Sequence, residues 1–389
     1  MTPRSDLPIL NPGERLLAGP GPSNVEPRVL EAMQKPMLSH LDPDMHDILL
    51  EVVDFQRQVY KATDENALVF PHQATGSSGM ETGLQNLLEP GDTAIVSNTG
   101  FFGNRIAKMA QRTGANVVEL KRDFGQIVSN EDLLAALDQN PGARLIAVVH
   151  AETSTGVRHP VEELGRELRR RGGDTLLFVD CVTSLGAHPV EFDDWGIDFA
   201  YSCTQKALAA PPGMSPLAIS ARALERVAAR KSPVPFTFDL DLLRKYWIER
   251  PVTYHHTAPI LHIYALFEAL RGALEEGLEN RFQRHTDAGG YLQAEVKNRG
   301  LGLLADPDHQ LAQLTAVRVP DGVDGKEVQT RVLREHGIEI GGGLGPDAPP
   351  IWRIGLMGYN ARREAADRVL AALDAVLADT KSLAASSPA

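Results

Sequence analysis

Between about residues 60 and 220 the chain alternates short apolar runs with stretches whose apolar positions recur at the helical period. The runs predict strands at Ala94–Ser97, Asn116–Leu120, Leu145–His150, Leu176–Asp180, Phe199–Ser202 and Leu217–Ser220. Leu145-Ile-Ala-Val-Val149 and Leu176-Leu-Phe-Val179 are apolar at every position instead of every second one. A strand reads that way when helices cover both faces of a mainly parallel sheet. The periodic stretches between them, such as Asn104–Arg112 and Val161–Arg171, predict those helices. The alternation as a whole is an α/β pattern.

Past residue 258 the texture changes. A helix is expected from Pro259 to a break at Gly277, and a second over Glu279–Arg299. Then follow a strand at Leu314–Val319, a helix at Lys326–Glu335, short strands at Gly337–Ile340 and Trp352–Leu356, and a terminal helix at Ala361–Ala378. This predicts a smaller α+β domain over residues 259–389 beside a large domain over 21–258. An N-terminal arm, residues 1–20, is expected to complete the smaller one. The run Leu16-Leu-Ala-Gly-Pro-Gly-Pro-Ser-Asn24 mixes fixed-φ prolines with glycines and reads as an extended segment, either a linker or a strap across a cleft. The small, polar end from Ser382 to Ala389 is expected to fray.

A chain of 389 residues with 43% hydrophobic content suits two linked domains. The net charge of −12 and the lack of a basic run argue against nucleic acid as a partner. Arg169-Arg170-Arg171 closes a helical stretch, where cations complement the helix terminus. The two cysteines, Cys181 and Cys203, lie in apolar segments and make no disulfide framework, which fits a reducing compartment. Met1–Leu7 has no apolar core of a signal peptide, and no segment reaches the roughly 20 apolar residues of a membrane span. The expected setting is soluble and cytoplasmic.

Candidate chemistry gathers at strand ends. Lys206 follows the apolar run Asp198-Phe-Ala-Tyr-Ser202, at the carboxyl edge where open α/β sheets bind ligands. A single lysine is usually a surface residue, so its neighbours decide. Asp180 ends the most apolar strand, where a carboxylate needs a cationic partner, either a structural ion pair or a bound cation. It precedes Lys206 by what looks like one strand–helix–strand step. Thr75-Gly-Ser-Ser-Gly-Met80 opens a helical run and could seat a phosphate, or merely cap the helix. Phe101 or Phe102 could stack on a flat ring or fill the core. The hydroxyls of Glu152-Thr-Ser-Thr-Gly156 could meet a cofactor or build a turn. Arg353 suits a substrate carboxylate, although a strand arginine is more often a structural ion pair.

Two other classes are weaker. Gly341-Gly-Gly-Leu-Gly345 leads into prolines instead of a helix, so it fails as a dinucleotide fingerprint. His40-Leu-Asp-Pro-Asp-Met-His-Asp47 gathers residue types that ligate metals, but Asp42 as a cap with Pro43 at the first helical position explains it more simply. His255 and His256 should point apart if they lie on a strand. No metal site is expected.

Four segments carry a resemblance: Tyr201-Ser-Cys-Thr-Gln-Lys-Ala-Leu-Ala-Ala-Pro-Pro-Gly213, Pro251-Val-Thr-Tyr-His-His-Thr-Ala-Pro259, Gly342-Gly-Leu-Gly-Pro346 and Arg353-Ile-Gly-Leu-Met-Gly358. With them the chain resembles the class V aminotransferases from about Leu16 to the last helix, and most the alanine–glyoxylate (serine–pyruvate) kind. The resemblance implies the fold type I architecture of pyridoxal-5′-phosphate (PLP) transferases and a two-stage transamination from a small amino acid to a 2-oxo acid. It implies Lys206 as the lysine that carries PLP as a Schiff base and Asp180 as partner of the pyridine nitrogen. Thr75, Gly76, Ser77 and Gln205 would contact the cofactor or its phosphate, and Phe102 would stack on the ring beside Thr153. Phe102 stands where animal enzymes of this kind have Trp. Tyr254 and Thr257 would reach the phosphate in the other subunit of a homodimer. Arg353 would bind the substrate carboxylate, with Gly21 and His40 beside it. Cysteine desulfurases share this fold and lysine, but need a reactive cysteine on a mobile loop.

Overall fold

The computed structural model describes residues 10–386. The expected signal-peptide-free start at Met1–Leu7 lies outside them, as does the end of the tail beyond residue 386; up to Ser386 the last helix continues, where fraying was expected.

A seven-stranded sheet forms the centre of the larger unit. Its strands stand in the order Leu68–His72, Ser215–Ile219, Phe199–Tyr201, Leu176–Asp180, Leu145–Val149, Thr93–Asn98 and Asn116–Lys121. Only Ser215–Ile219 runs against its neighbours. The central strands are buried along their whole length, as their unbroken apolar character requires. The Leu68–His72 strand was not anticipated. Its Pro71 cannot donate to a ladder and demotes the run in a sequence reading; the structure accommodates it on the sheet edge.

The Gly76–Leu87 helix lies close on this sheet, over the stacked rings of Phe178 and Phe199, whose centroids are 5.1 Å apart. A Cβ at Gly83 would fall 2.5 Å from Phe178 Cε2, so glycine allows the approach. Its N-terminus thereby arrives at the carboxyl edge of the strands. The connection from Asp180 to Phe199 contains no helix, in contrast to the expected step; it is a buried run of turns broken by Gly186, Pro189 and Gly196.

The second unit is built on an antiparallel sheet of Leu314–Arg318, Ile351–Gly355 and Gly341–Gly342. The N-terminal arm does join it: Leu16–Leu17 pairs in parallel with Ile338–Glu339, and Leu16 and Ala18 lie in its hydrophobic cluster. The Ile260–Glu276 helix, expected to open this unit, packs elsewhere. Ile260, Ile263, Leu266 and Leu270 belong to the cluster of the large sheet, and Phe267 meets Phe55 of the Pro43–Tyr60 helix at 5.2 Å. The Leu278–Asn298 helix is the one that contributes Ala288, Leu292 and Val296 to the smaller cluster. Among the described residues no helix is long and apolar enough to cross a membrane.

Candidate active site

Six strands of one direction end at the same edge of the large sheet, and Thr75, Phe102, Thr153, Asp180 and Lys206 stand at or after five of those ends. Asp180 closes the Leu176–Asp180 strand and is 2% exposed. Its Oδ1 accepts from the Val182 amide at 2.8 Å and its Oδ2 from the Tyr201 hydroxyl at 2.5 Å. Among the described residues it has no ion-pair partner. Burial outweighs these hydrogen bonds and pushes its pKa from 3.8 to about 7. An acid so placed has room in its chemistry for a bound cation.

Lys206 lies in the turn after Phe199–Tyr201. Its ammonium donates to the carbonyl of Pro20, so the N-terminal segment is a strap over the lysine. Ser23 fastens that strap: its hydroxyl donates to the Lys206 carbonyl at 2.7 Å and its amide to the Gln205 carbonyl at 2.8 Å. Gly21, at φ +113°, touches the lysine directly; a Cβ there would overlap Nζ and lie 2.6 Å from Cδ. Burial lowers the lysine's pKa, opposed by Cys203 and Asp180 and aided by Arg353. The amine is thus held closer to its neutral, nucleophilic form than an exposed lysine.

Thr75 caps the Gly76–Leu87 helix, its hydroxyl accepting from the Ser78 amide at 3.1 Å. Gly76 sits against Val182 and Cys203, a Cβ there falling 3.1 Å from Val182 Cγ2, which brings the helix start beside Asp180 and Lys206. Ser77 accepts from Arg105 at 2.6 Å, and the Arg105 guanidinium lies over Phe101 and Phe102 at 4.9 and 5.1 Å. The Gln205 Oε1 is buried and has no hydrogen-bond partner among the described residues.

Arg353 is 6% exposed, on the middle strand of the small sheet. Nε donates to the Gly342 carbonyl at 2.5 Å and Nη1 to the Thr153 carbonyl at 3.2 Å. No carboxylate among the described residues lies at ion-pair distance. Burial depresses its pKa to about 10, opposed only by Glu152. A buried guanidinium satisfied by carbonyls retains its charge for an anion.

Comparison with known proteins identifies the family. The family model for "Aminotransferase class-V" matches residues 15–363. The chain belongs to the class V aminotransferases. The alanine–glyoxylate aminotransferase of Nostoc sp., whose crystal structure is known, superimposes with a TM-score of 0.92 at 45% identity, over 96% of this chain and 97% of that one. Alanine–glyoxylate aminotransferase of Oryctolagus cuniculus is 40% identical over 94% of this chain and 93% of its own. The (S)-ureidoglycine–glyoxylate transaminase of Bacillus subtilis (strain 168) is 37% identical over 93% and 90%. The fold is that of the type I PLP transferases, the protein is a transaminase, and membership implies PLP as its cofactor.

Other predicted residues of this class V aminotransferase lie apart. Tyr254 is 60% exposed, Thr257 is also exposed, and His40 packs against Tyr254 with ring centroids 5.6 Å apart. No hydrogen bond or ring contact among the described residues joins these three to Lys206, Asp180 or Arg353. His40 therefore keeps company with the Tyr254 segment. His255 and His256 do not point apart: their Nδ1 atoms are 2.6 Å from each other, because residues 251–259 are irregular and strand alternation does not apply. Asp42 caps the Pro43–Tyr60 helix as expected, accepting from the Asp44 amide at 3.0 Å. Arg250 donates to the carbonyls of Ile248, Glu249 and His46.

Three residues of the site carried no earlier assignment. Tyr201 reaches Asp180 because the two are register partners on adjacent parallel strands; that pairing was the available signal. Arg105 lies one helical turn beyond Phe101 and Phe102. Glu152 was overlooked beside the hydroxyls that follow it.

Proposed function

We propose that this aminotransferase moves the amino group of a small neutral amino acid, alanine or serine, to a 2-oxo acid such as glyoxylate. Arg353 carries the reading: it is a buried guanidinium with no carboxylate at ion-pair distance among the described residues, a single clamp suited to one substrate carboxylate. The relatives named alanine–glyoxylate aminotransferase support both donor and acceptor.

The residues present suit PLP. Asp180 offers a buried carboxylate to a protonated pyridine nitrogen, and Lys206 offers a buried amine with a lowered pKa. Thr75, Gly76 and Ser77 open a helix toward them, with Gln205 adjacent, and the unpartnered Gln205 Oε1 leaves an acceptor for a ligand. Phe102 would stack on the ring and Thr153 stand beside it. The cofactor, when bound, supplies an electron sink for the substrate's Cα. Lys206 would hold it at rest; freed by the incoming amine, Nζ would take the proton from the donor's Cα and pass it on to the cofactor within the same half-reaction, and would move a proton the opposite way, to the acceptor's Cα, in the second. Asp180 keeps the ring nitrogen protonated by its charge. Arg353 orients the substrate by its carboxylate, and the strap at Pro20–Gly21 shields Lys206 from water.

Tyr254 and Thr257, exposed and away from their own lysine, support a homodimer in which each subunit lends them, with His40, to the partner's phosphate seat. The two free, buried cysteines support a reducing, cytoplasmic setting. They also oppose a desulfurase reading: burial pushes the Cys203 thiol up to about 12 and Cys181 higher still, and the chain has no third cysteine for a loop.

A donor panel of alanine, serine, aspartate and (S)-ureidoglycine against glyoxylate and pyruvate tests this. Alanine or serine with glyoxylate should give the highest kcat/KM; aspartate turning over much faster than both would overturn the single-clamp argument. In the same assay Arg353→Lys should raise the donor KM by about 10- to 100-fold, the loss of one charge-assisted hydrogen bond, with kcat less affected.

A further inference from the structure

Glu152 is wholly buried, at the end of the short Ala151–Glu152 strand that follows Leu145–Val149. It has no cation at ion-pair distance among the described residues. Its Oε2 instead accepts from the amides of Phe102 at 3.1 Å and Gly103 at 3.2 Å, and its Oε1 from the amide and hydroxyl of Ser154 at 3.0 and 2.6 Å. The Ser154 hydroxyl in turn accepts from the Phe101 amide at 2.9 Å. Together they satisfy the first amides of the Phe101–Arg112 helix, which lacks a cap of its own: the N-cap is Gly100, with no side-chain bond.

A serine or aspartate at position 100 would cap the helix locally at small cost. The space for it is taken. A Cβ at Gly100 would overlap Ser154 Oγ and lie 2.8 Å from Glu152 Cδ. The chain therefore gives up a cheap local cap for a buried carboxylate some 50 positions away, and burial raises that carboxylate's pKa against all four hydrogen bonds. What the distant cap gains is connection. Thr153, between the two capping residues, holds Arg353 through its carbonyl, so one turn fixes both the start of the Phe102 helix and the guanidinium.

We propose that Glu152 is a positioning residue for transamination: by gripping the Phe102 and Gly103 amides and, through Thr153, the Arg353 guanidinium, it registers the ring-stacking face to the carboxylate clamp. The inference rests on the PLP reading above. Glu152 touches neither substrate nor cofactor. It acts through Phe102 and Arg353, so its loss should disturb the two together.

The test uses the full-length protein saturated with PLP. Visible circular dichroism per bound cofactor reports the asymmetry of the ring's seat; apoprotein titration gives PLP affinity, and steady-state kinetics the donor KM. Glu152→Ala should weaken PLP at least about tenfold, raise the donor KM by a similar factor and shrink the visible dichroism at saturation. Glu152→Gln keeps the volume but turns a donor toward one end of the grip, and should show the same changes at smaller size. Ser154→Ala, which frees the Phe101 amide but leaves Glu152 Oε1 its bond from the residue-154 amide, should leave the donor KM least changed. If Glu152→Ala does not fold, the glutamine variant decides. Variants with lowered Tm but wild-type dichroism, affinity and KM would reduce Glu152 to a helix cap and overturn the proposal. A wild-type protein that takes up no PLP would instead overturn the reading beneath it.

Discussion

Lys206→Ala should lose transamination by at least roughly 10³-fold while keeping its fold. General acid–base transfer alone contributes about 10²–10⁴-fold, and the proposed mechanism gives that transfer to this residue. The alanine protein should still bind PLP, through Asp180 and the Thr75–Ser77 turn, but without a covalent band that borohydride bleaches. Small amines such as methylamine should restore part of the rate, since a free base can enter the space the side chain vacates and move the Cα proton. Full activity in Lys206→Ala would end the account; a protein that fails to bind PLP at all would show that the lysine is needed for seating. Arginine at the same position keeps charge and length but cannot act as a base near neutral pH, and should be as inactive as alanine.

Asp180→Asn should lower kcat by roughly 10²–10³-fold, the range typical of removing one preorganised electrostatic contact in a dry site. Here the sign of the stability effect is informative. In the apoprotein the folded-state pKa of Asp180 is raised from 3.8 to about 7. A raised carboxyl favours folding below about pH 4, where it is protonated in both states, and that contribution is lost as the pH climbs through about 7. Asparagine removes the penalty of the buried charge. The apo variant should therefore gain Tm over the apo wild type at pH 8.5, and the gap should narrow at pH 5.5. With PLP bound the order should reverse, because the cofactor brings the cation the wild-type carboxylate needs. A pH-independent difference in the apo forms would mean that Asp180 is already neutralised by a partner of its own.

Much of this architecture can be read from the chain because the large sheet is covered on both sides. Burial on two faces makes Leu145–Val149 and Leu176–Asp180 apolar throughout, and a charged residue closing such a run stands out. Asp180 is legible as a candidate for that reason; Lys206 and Arg353, taken singly, read as a surface lysine and a structural ion pair, and only their company and the family resemblance make them candidates. Where the chemistry depends on pairing across distance, the sequence is silent. Thr153 and Arg353 are 200 positions apart, and nothing near either announces the other. Glu152 caps a helix it does not precede, so a search for caps next to the Phe101–Arg112 helix finds only Gly100. The Pro71 strand escaped because the rule against proline in strands holds for sheet interiors, and this strand is at the edge. The contact of His40 with Tyr254 is tertiary, and nothing near either residue in the chain announces it.

The central claim is that Lys206 is the residue that carries the cofactor. The direct measurement is to incubate the purified protein with PLP, reduce with borohydride, digest, and locate the added pyridoxyl phosphate by mass spectrometry. One label per chain on the peptide containing Lys206 is predicted, and adding alanine or serine before reduction should prevent it by releasing the amine. A label distributed over surface lysines, or concentrated on any lysine other than Lys206, would contradict the account.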